Sequence, residues 1–175
     1  GELQEGQNFE AFMSLRHFNL CQVIPIIDCN GIQSDSNVGD IKPIADLAKT
    51  LQGLGLQTLD LDGNDMASVH SALTQACTAE KPTVLIAKTR KAAGVSFMEA
   101  DHTARRGFAW HGKAPNQEEY LRALREFDEK IKNSPINPKL NDFIANFRPN
   151  TINITNLSKE NPPTGTFFGK YLCFL

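Results

Sequence analysis

The sequence predicts an α/β fold: a parallel sheet with helices on both faces, followed by a C-terminal helical or extended appendage. Three observations predict it. Short apolar runs rich in β-branched residues alternate with stretches of helical periodicity. Helix then strand recurs three times, and strands joined by crossover helices run parallel. Such a sheet is covered on both sides, which accounts for strands with little polar alternation.

Residues 7 to 18 put Phe9, Phe12, Met13 and Leu15 at helical spacing, with Gly6 just upstream. Gln22 to Asp28 reads as a buried strand, although Pro25 removes a ladder donor. Asn30 to Asn37 is loop chemistry. Residues 41 to 53 read as one helix, with Ile44, Leu47, Ala48 and Leu51 on a face and Gly53 as its stop. Leu56 to Gly63 gives a strand and a turn. Residues 66 to 79 form a helix with Val69, Leu73 and Ala76 on one side, and Pro82 to Ala87 is a fully apolar strand. Residues 90 to 115 form a long loop, and loops of that length are more often functional than accidental. Residues 116 to 132 form a charged helix with Tyr120, Leu121, Leu124, Phe127 and Ile131 inward. Asn116 and Glu119 have the spacing of a capping box. The division is one partial α/β domain over 1–132 and a linker or appendage over 133–175, with one short helix near 138 to 147.

Bulk composition narrows the function. The chain has 175 residues, 41% hydrophobic and 22% charged, ordinary for a globular core. Net charge is −2, and no basic stripe points to nucleic acid. No apolar run reaches the ~18 residues of a membrane span. Cysteines 21, 29, 77 and 173 form no C-x-x-C pair, so reduced thiols in a cytoplasmic protein are expected. The chain opens on Gly1 without methionine and reads as the inside of a motif, so a piece of a larger design is expected.

In such sheets ligands bind beyond the carboxyl ends of strands, which directs attention to the loops after Asp28 and Ala87. By residue type, Asn30-Gly31 is equally a plain turn. Four words in order go further: Gly1-Glu2-Leu3-Gln4-Glu5-Gly6, Lys81 to Thr89, Gly94 to Glu99, and Trp110-His111-Gly112. From residue 1 to about 127 the chain resembles the diphosphate-binding half of transketolase, particularly the N-terminal subunits of split forms.

The resemblance implies thiamine diphosphate and Mg²⁺ (or Ca²⁺) as cofactors. The family motif sets an Asn 25 to 30 residues after Gly-Asp-Gly, and Asn30 follows Gly1 by 29. Gly1 would lie against the diphosphate. Asn30 would bind the metal through its side chain, and Ile32 through its backbone carbonyl, since hard cations take oxygen ligands. Lys91 would hold the diphosphate, although Lys88 and Arg90 stand close and a solvated lysine is the plainer reading. His111 would contact cofactor and substrate. Glu5, with Glu10, resembles the family's acidic pair near the dimer contact; both are also ordinary acids at a helix N-terminus.

The implied activity transfers a two-carbon ketol unit between sugar phosphates. It requires a pyrimidine-domain partner or flanking domain, within a homo- or hetero-oligomer. Three alternatives remain open: a non-catalytic scaffold or regulatory homologue, a 1-deoxyxylulose-5-phosphate synthase, and a 2-oxo acid dehydrogenase E1 component. The chain departs from the family at Asp35-Ser36, where Asp-Gly is usual. It departs again at Lys91-Ala92-Ala93-Gly94, where Lys-Gly-Lys-Gly is usual. The insert Ala100 to Ala109 is also unusual.

Overall fold

The structure is a computed structural model that describes residues 1–33, 36–101, 110–134 and 171–174, with backbone alone for 100–101 and 171–174. A 3-10 turn at Glu2–Gln4 leads into α1 (Gly6–His17), then β1 (Val23–Cys29), α2 (Val38–Ile41) and α3 (Leu47–Gly53). Next come β2 (Gln57–Asp62), α4 (Met66–Thr78), β3 (Thr83–Lys88), α5 (Ser96–Asp101), α6 (Gln117–Lys132) and β4 (Tyr171–Phe174). The strands form one parallel sheet in the order β2-β3-β1-β4.

β3 is the central strand of the first three, and Thr83 through Ala87 are all buried. Its alternate residues feed two separate cores. Val84 and Ile86 pack with Phe12 and Leu15 of α1, Ile27, Leu51 of α3 and Leu56. On the other face, Leu85 and Ala87 pack with Ile24, Leu61, and Ala72 and Ala76 of α4. The small alanines let α4 approach the sheet closely. Each buried aliphatic chain contributes about 1.5–3 kcal/mol from removal of apolar surface. Pro25 stands before the β1–β3 ladder, which begins at Ile26, and lies within the β1–β4 ladder opposite Cys173.

Some expectations need correction. The helix expected over 41 to 53 begins only at Leu47, because Pro43 disfavours helical backbone at the residue before it. Lys42 leaves helical backbone there (φ −153, ψ 75), and α3 starts after Asp46, whose carboxylate accepts the Lys49 N–H at 2.9 Å. That N–H bond, with the Lys49 ammonium beside it, lowers the Asp46 pKa below the ordinary carboxylate value. Ile44 is therefore off the helix face and lines a hollow. α3 does end at Gly53 as expected, and the chain then reverses at Gly55 (φ +83).

The stretch 90 to 115 carries a short helix, α5. α6 forms as expected, with the Asn116–Glu119 capping box complete. Its apolar row is not inward: Tyr120, Leu121, Leu124, Phe127 and Ile131 are 41–49% exposed. α6 meets Gly94 and the start of α5 largely through polar groups, with only the Phe127 ring of that row set against Gly94. Glu126 accepts from the Ser96 N–H and Oγ, both at 2.7 Å, and Lys130 Nζ donates to the Gly94 carbonyl at 2.5 Å. β4 falls within 133–175, while the short helix expected near 138 to 147 lies outside the described residues.

Candidate functional site

The carboxyl end of β1 opens into a hollow of about 270 Å³. Gly1, Glu2, Leu3 and Gln4 wall one side; Ile27 through Ile32 wall another; Val38, Ile44 and Leu47 close it. Three predicted residues, Gly1, Asn30 and Ile32, therefore share one space although 29 positions separate the first two. The chain turns sharply at Gly31 (φ +76), a left-handed conformation that glycine adopts without strain.

Asn30 is held from both ends. Its Oδ1 accepts the Ile32 N–H at 2.9 Å, and its Nδ2 donates to Asp28 Oδ2 at 3.2 Å. The loop then closes through Val38 N–H to the Gly31 carbonyl (2.8 Å) and Gln33 N–H to the Ser36 carbonyl (2.8 Å). Neither of these two bonds uses the Ile32 carbonyl. The local donors are thus oxygens, the type that Mg²⁺ or Ca²⁺ requires. Among the described residues, no group of three His, Cys, Asp or Glu could hold a metal, so other oxygens must complete any shell.

The Gln33 side chain packs 3.4 Å from where a Gly1 Cβ would sit, and its buried Nε2 has no hydrogen-bond partner among the described residues. A buried amide donor left unpaired costs about 1–3 kcal/mol, so its presence beside Gly1 fits a ligand with acceptor oxygens. Cys29 also lines the hollow; partial burial pushes its thiol up, against the pull of Lys88.

Lys91 and His111 form a second group. Lys91 Nζ lies 3.0 Å from His111 Nδ1, so two residues twenty positions apart are brought together. Neither lines the hollow beside Asn30. Next to His111, Trp110 meets Phe97 edge-to-face at 5.5 Å and carries Lys113 over its ring at 5.1 Å. Ala92, next to Lys91, is left-handed (φ +59). An alanine here keeps the backbone path expected of a glycine.

Glu5 takes the N-cap position of α1, and its exposed side chain accepts from Gln7 Nε2 at 2.8 Å. It does not line the hollow. Glu10 is also exposed.

Sequence reasoning missed Asp28, Thr89, Asn8, Glu2 and Gln33. Thr89 Oγ1 donates a hydrogen bond to Asp28 Oδ1 across 61 positions of chain. Asn8 is buried and donates to the Glu2 carbonyl at 2.5 Å, fixing the 3-10 turn that walls the hollow. An asparagine inside an apolar helical face is the one visible signal for Asn8.

Comparison with known proteins supplies an independent view. The family model described as transketolase, thiamine diphosphate binding domain, matches residues 1–128. An apulose-4-phosphate transketolase subunit of Actinobacillus succinogenes is 35% identical over 130 residues, covering 74% of this chain and 45% of the relative. The subunit of the same name from Phocaeicola vulgatus is 31% identical over 134 residues, with 75% and 45% covered. The chain thus spans about half the length of these curated relatives. Among solved structures, transketolase from Campylobacter jejuni superposes with a TM-score of 0.55 at 25% identity. The match covers 85% of this chain and 27% of that one.

Proposed function

Because the chain belongs to the transketolase thiamine diphosphate binding domain family, we propose that it holds the diphosphate and divalent-cation end of thiamine diphosphate. The enzyme served would move a two-carbon ketol unit from a ketose to an aldose phosphate. One observation carries this reading: Gly1, Asn30 and Ile32 line a common hollow at the carboxyl end of β1.

In this reading Asn30 Oδ1 and the Ile32 carbonyl hold Mg²⁺ or Ca²⁺, and phosphate oxygens and water complete the shell. Gly1, lacking a Cβ, lets a phosphate oxygen approach the backbone. Lys91 adds positive charge toward the diphosphate. His111, with Nδ1 against the Lys91 ammonium, carries its proton on Nε2 and offers that N–H to an oxygen of cofactor or substrate. When bound, thiamine diphosphate supplies the electron sink for C–C cleavage beside a carbonyl.

Both transketolase relatives from Actinobacillus succinogenes and Phocaeicola vulgatus are named as subunits, which supports a partner carrying the pyrimidine-binding half. Glu5 then serves the contact between the two chains, and sugar phosphates are the substrates.

Calorimetry with thiamine diphosphate should show Mg²⁺-dependent binding, strengthened by the partner. Asn30→Ala should weaken it by about 2–3 kcal/mol, roughly 30–150-fold, the scale of a lost polar contact to a charged group. Unchanged affinity would remove Asn30 from the site, and robust ketol transfer by this chain alone would remove the need for a partner.

A second reading, a non-catalytic homologue, draws support from Ala92. Left-handed backbone at a non-glycine residue costs about 1–2 kcal/mol. That strain falls in the loop carrying Lys91. Binding of the cofactor without turnover, even with the partner present, would favour it.

A further inference from the structure

Asp28 lies at the carboxyl end of β1, two residues before Asn30. Its carboxylate is engaged on both oxygens. Oδ2 accepts from Asn30 Nδ2 at 3.2 Å, and Oδ1 accepts from Thr89 Oγ1, on the first residue past β3. β1 and β3 are neighbours at this level, with Asp28 paired to Ala87 and Cys29 to Lys88. The carboxylate therefore ties the end of one strand to the start of the loop that carries Lys91.

A primary amide has one oxygen and one nitrogen, and its environment decides which faces which way. The Ile32 N–H needs an acceptor, and an ionised carboxylate can only accept. Together they leave Asn30 one orientation, with Oδ1 toward Ile32 and the NH₂ toward Asp28. Thr89 in turn fixes the carboxylate. It is itself confined by Gly63, where an added Cβ would come within 2.5 Å of Thr89 Cγ2.

We propose that Asp28 is a positioning residue for the cation site: it sets the Asn30 amide so that its oxygen, not its nitrogen, serves the divalent ion, and Thr89 holds Asp28 in place. The proposal rests on the functional reading above, in which Asn30 binds the ion. Partners that orient a metal ligand commonly carry about 10–100-fold of metal affinity. With Asp28→Asn, one amide NH₂ can be set against another, and the Asn30 side chain loses its fixed sense.

The test is Mn²⁺ binding by electron paramagnetic resonance in the presence of thiamine diphosphate, on the full chain. Asp28→Asn should weaken Mn²⁺ by about tenfold or more, with the thermal midpoint little changed. Thr89→Val, which keeps the carboxylate but removes its anchor, should give a smaller loss in the same direction and serves if Asp28→Asn folds poorly. Asp60→Asn removes an equal charge from the exposed pair with Lys88 and should leave affinity unchanged. In an Asn30→Asp background there is no amide to orient, so adding Asp28→Asn should cost nothing further.

Undiminished Mn²⁺ affinity in both Asp28→Asn and Thr89→Val overturns the positioning role while leaving the cation site standing. A further loss in the Asn30→Asp background makes Asp28 a ligand and overturns it equally. Absence of any diphosphate-dependent Mn²⁺ uptake by the unaltered chain overturns the functional reading, and this proposal with it.

Discussion

The Asn30 corner and the Lys91–His111 corner are built in opposite ways. Asn30 stands one residue past β1, where parallel ladders and two cores hold the strand ends. Its amide is bonded at both ends, and the carboxylate beside it is anchored across the sheet. Lys91 stands in the turn before α5, next to the left-handed Ala92, and His111 stands next to Trp110. The stretch 94–96 that follows Lys91 is braced by α6, whose apolar row stays exposed. The first corner inherits its geometry from the sheet, whereas the second depends on a few polar contacts between a loop and a helix. Under the proposed function, ligands of a hard cation tolerate little displacement, so a rigid frame would suit Asn30, while a lysine and a histidine addressing a long ligand would tolerate more.

The sharpest way to break the contrast is to weaken the shared frame. Leu85→Ala should cost about 2–5 kcal/mol, the range for deleting a fully buried leucine side chain. Both corners should then lose order together, visible as a lower denaturant midpoint; a change under about 1 kcal/mol would mean the central strand is not the support claimed for it. Gly63→Ala attacks the first corner alone. The new Cβ would crowd Thr89 and should destabilise by about 1–3 kcal/mol, the scale of overpacking. Amide shifts should concentrate at Asp28, Asn30 and Thr89, and a uniform spread of shifts would contradict that wiring.

Ala92→Gly sharpens the comparison from the other side. Relief of the left-handed alanine should stabilise by about 1 kcal/mol, read by chemical denaturation. A loss of stability would show that the loop does not carry this strain. The smallest effect concerns α6. The backbone and hydroxyl hydrogen bonds from Ser96 lower the Glu126 pKa below the ordinary glutamate value. A lowered folded-state pKa gives stability that is present above the unfolded value and lost as pH falls through the folded one. Ser96 amide protection should therefore fade in the acid range below the ordinary glutamate value of 4.5, and Glu126→Gln should flatten that dependence. Hydrogen exchange at Ser96 measures it, and an identical pH profile in the variant would count against the contact.

Much of this is legible in the amino-acid order. β1 and β3 match the apolar runs that read as strands, β2 matches the alternating stretch after Leu56, and Asn116 with Glu119 caps α6 as its spacing announces. Such signals are local: a strand buries its residues and a helix start satisfies its amides within a few positions. The single helix expected over 41 to 53 fails on a local signal too, because Pro43 outweighs the apolar periodicity around it. The inward row on α6 fails for another reason. Periodicity reports which residues share a face but does not say what the face meets, and here polar groups make the contact.

The amino-acid order therefore determined β1, β2, β3, α1, α4 and α6, their parallel arrangement and the motif whose residues Gly1, Asn30 and Ile32 meet at one strand end. The folded chain decided which distant side chains meet: Asp28 with Thr89, and Lys91 with His111. It also decided that α6 turns its polar groups toward the loop. The physical reason is range. Propensity, capping and burial periodicity act over a turn or a strand, while these meetings depend on β3 entering the sheet beside β1, a long-range pairing that no local pattern encodes.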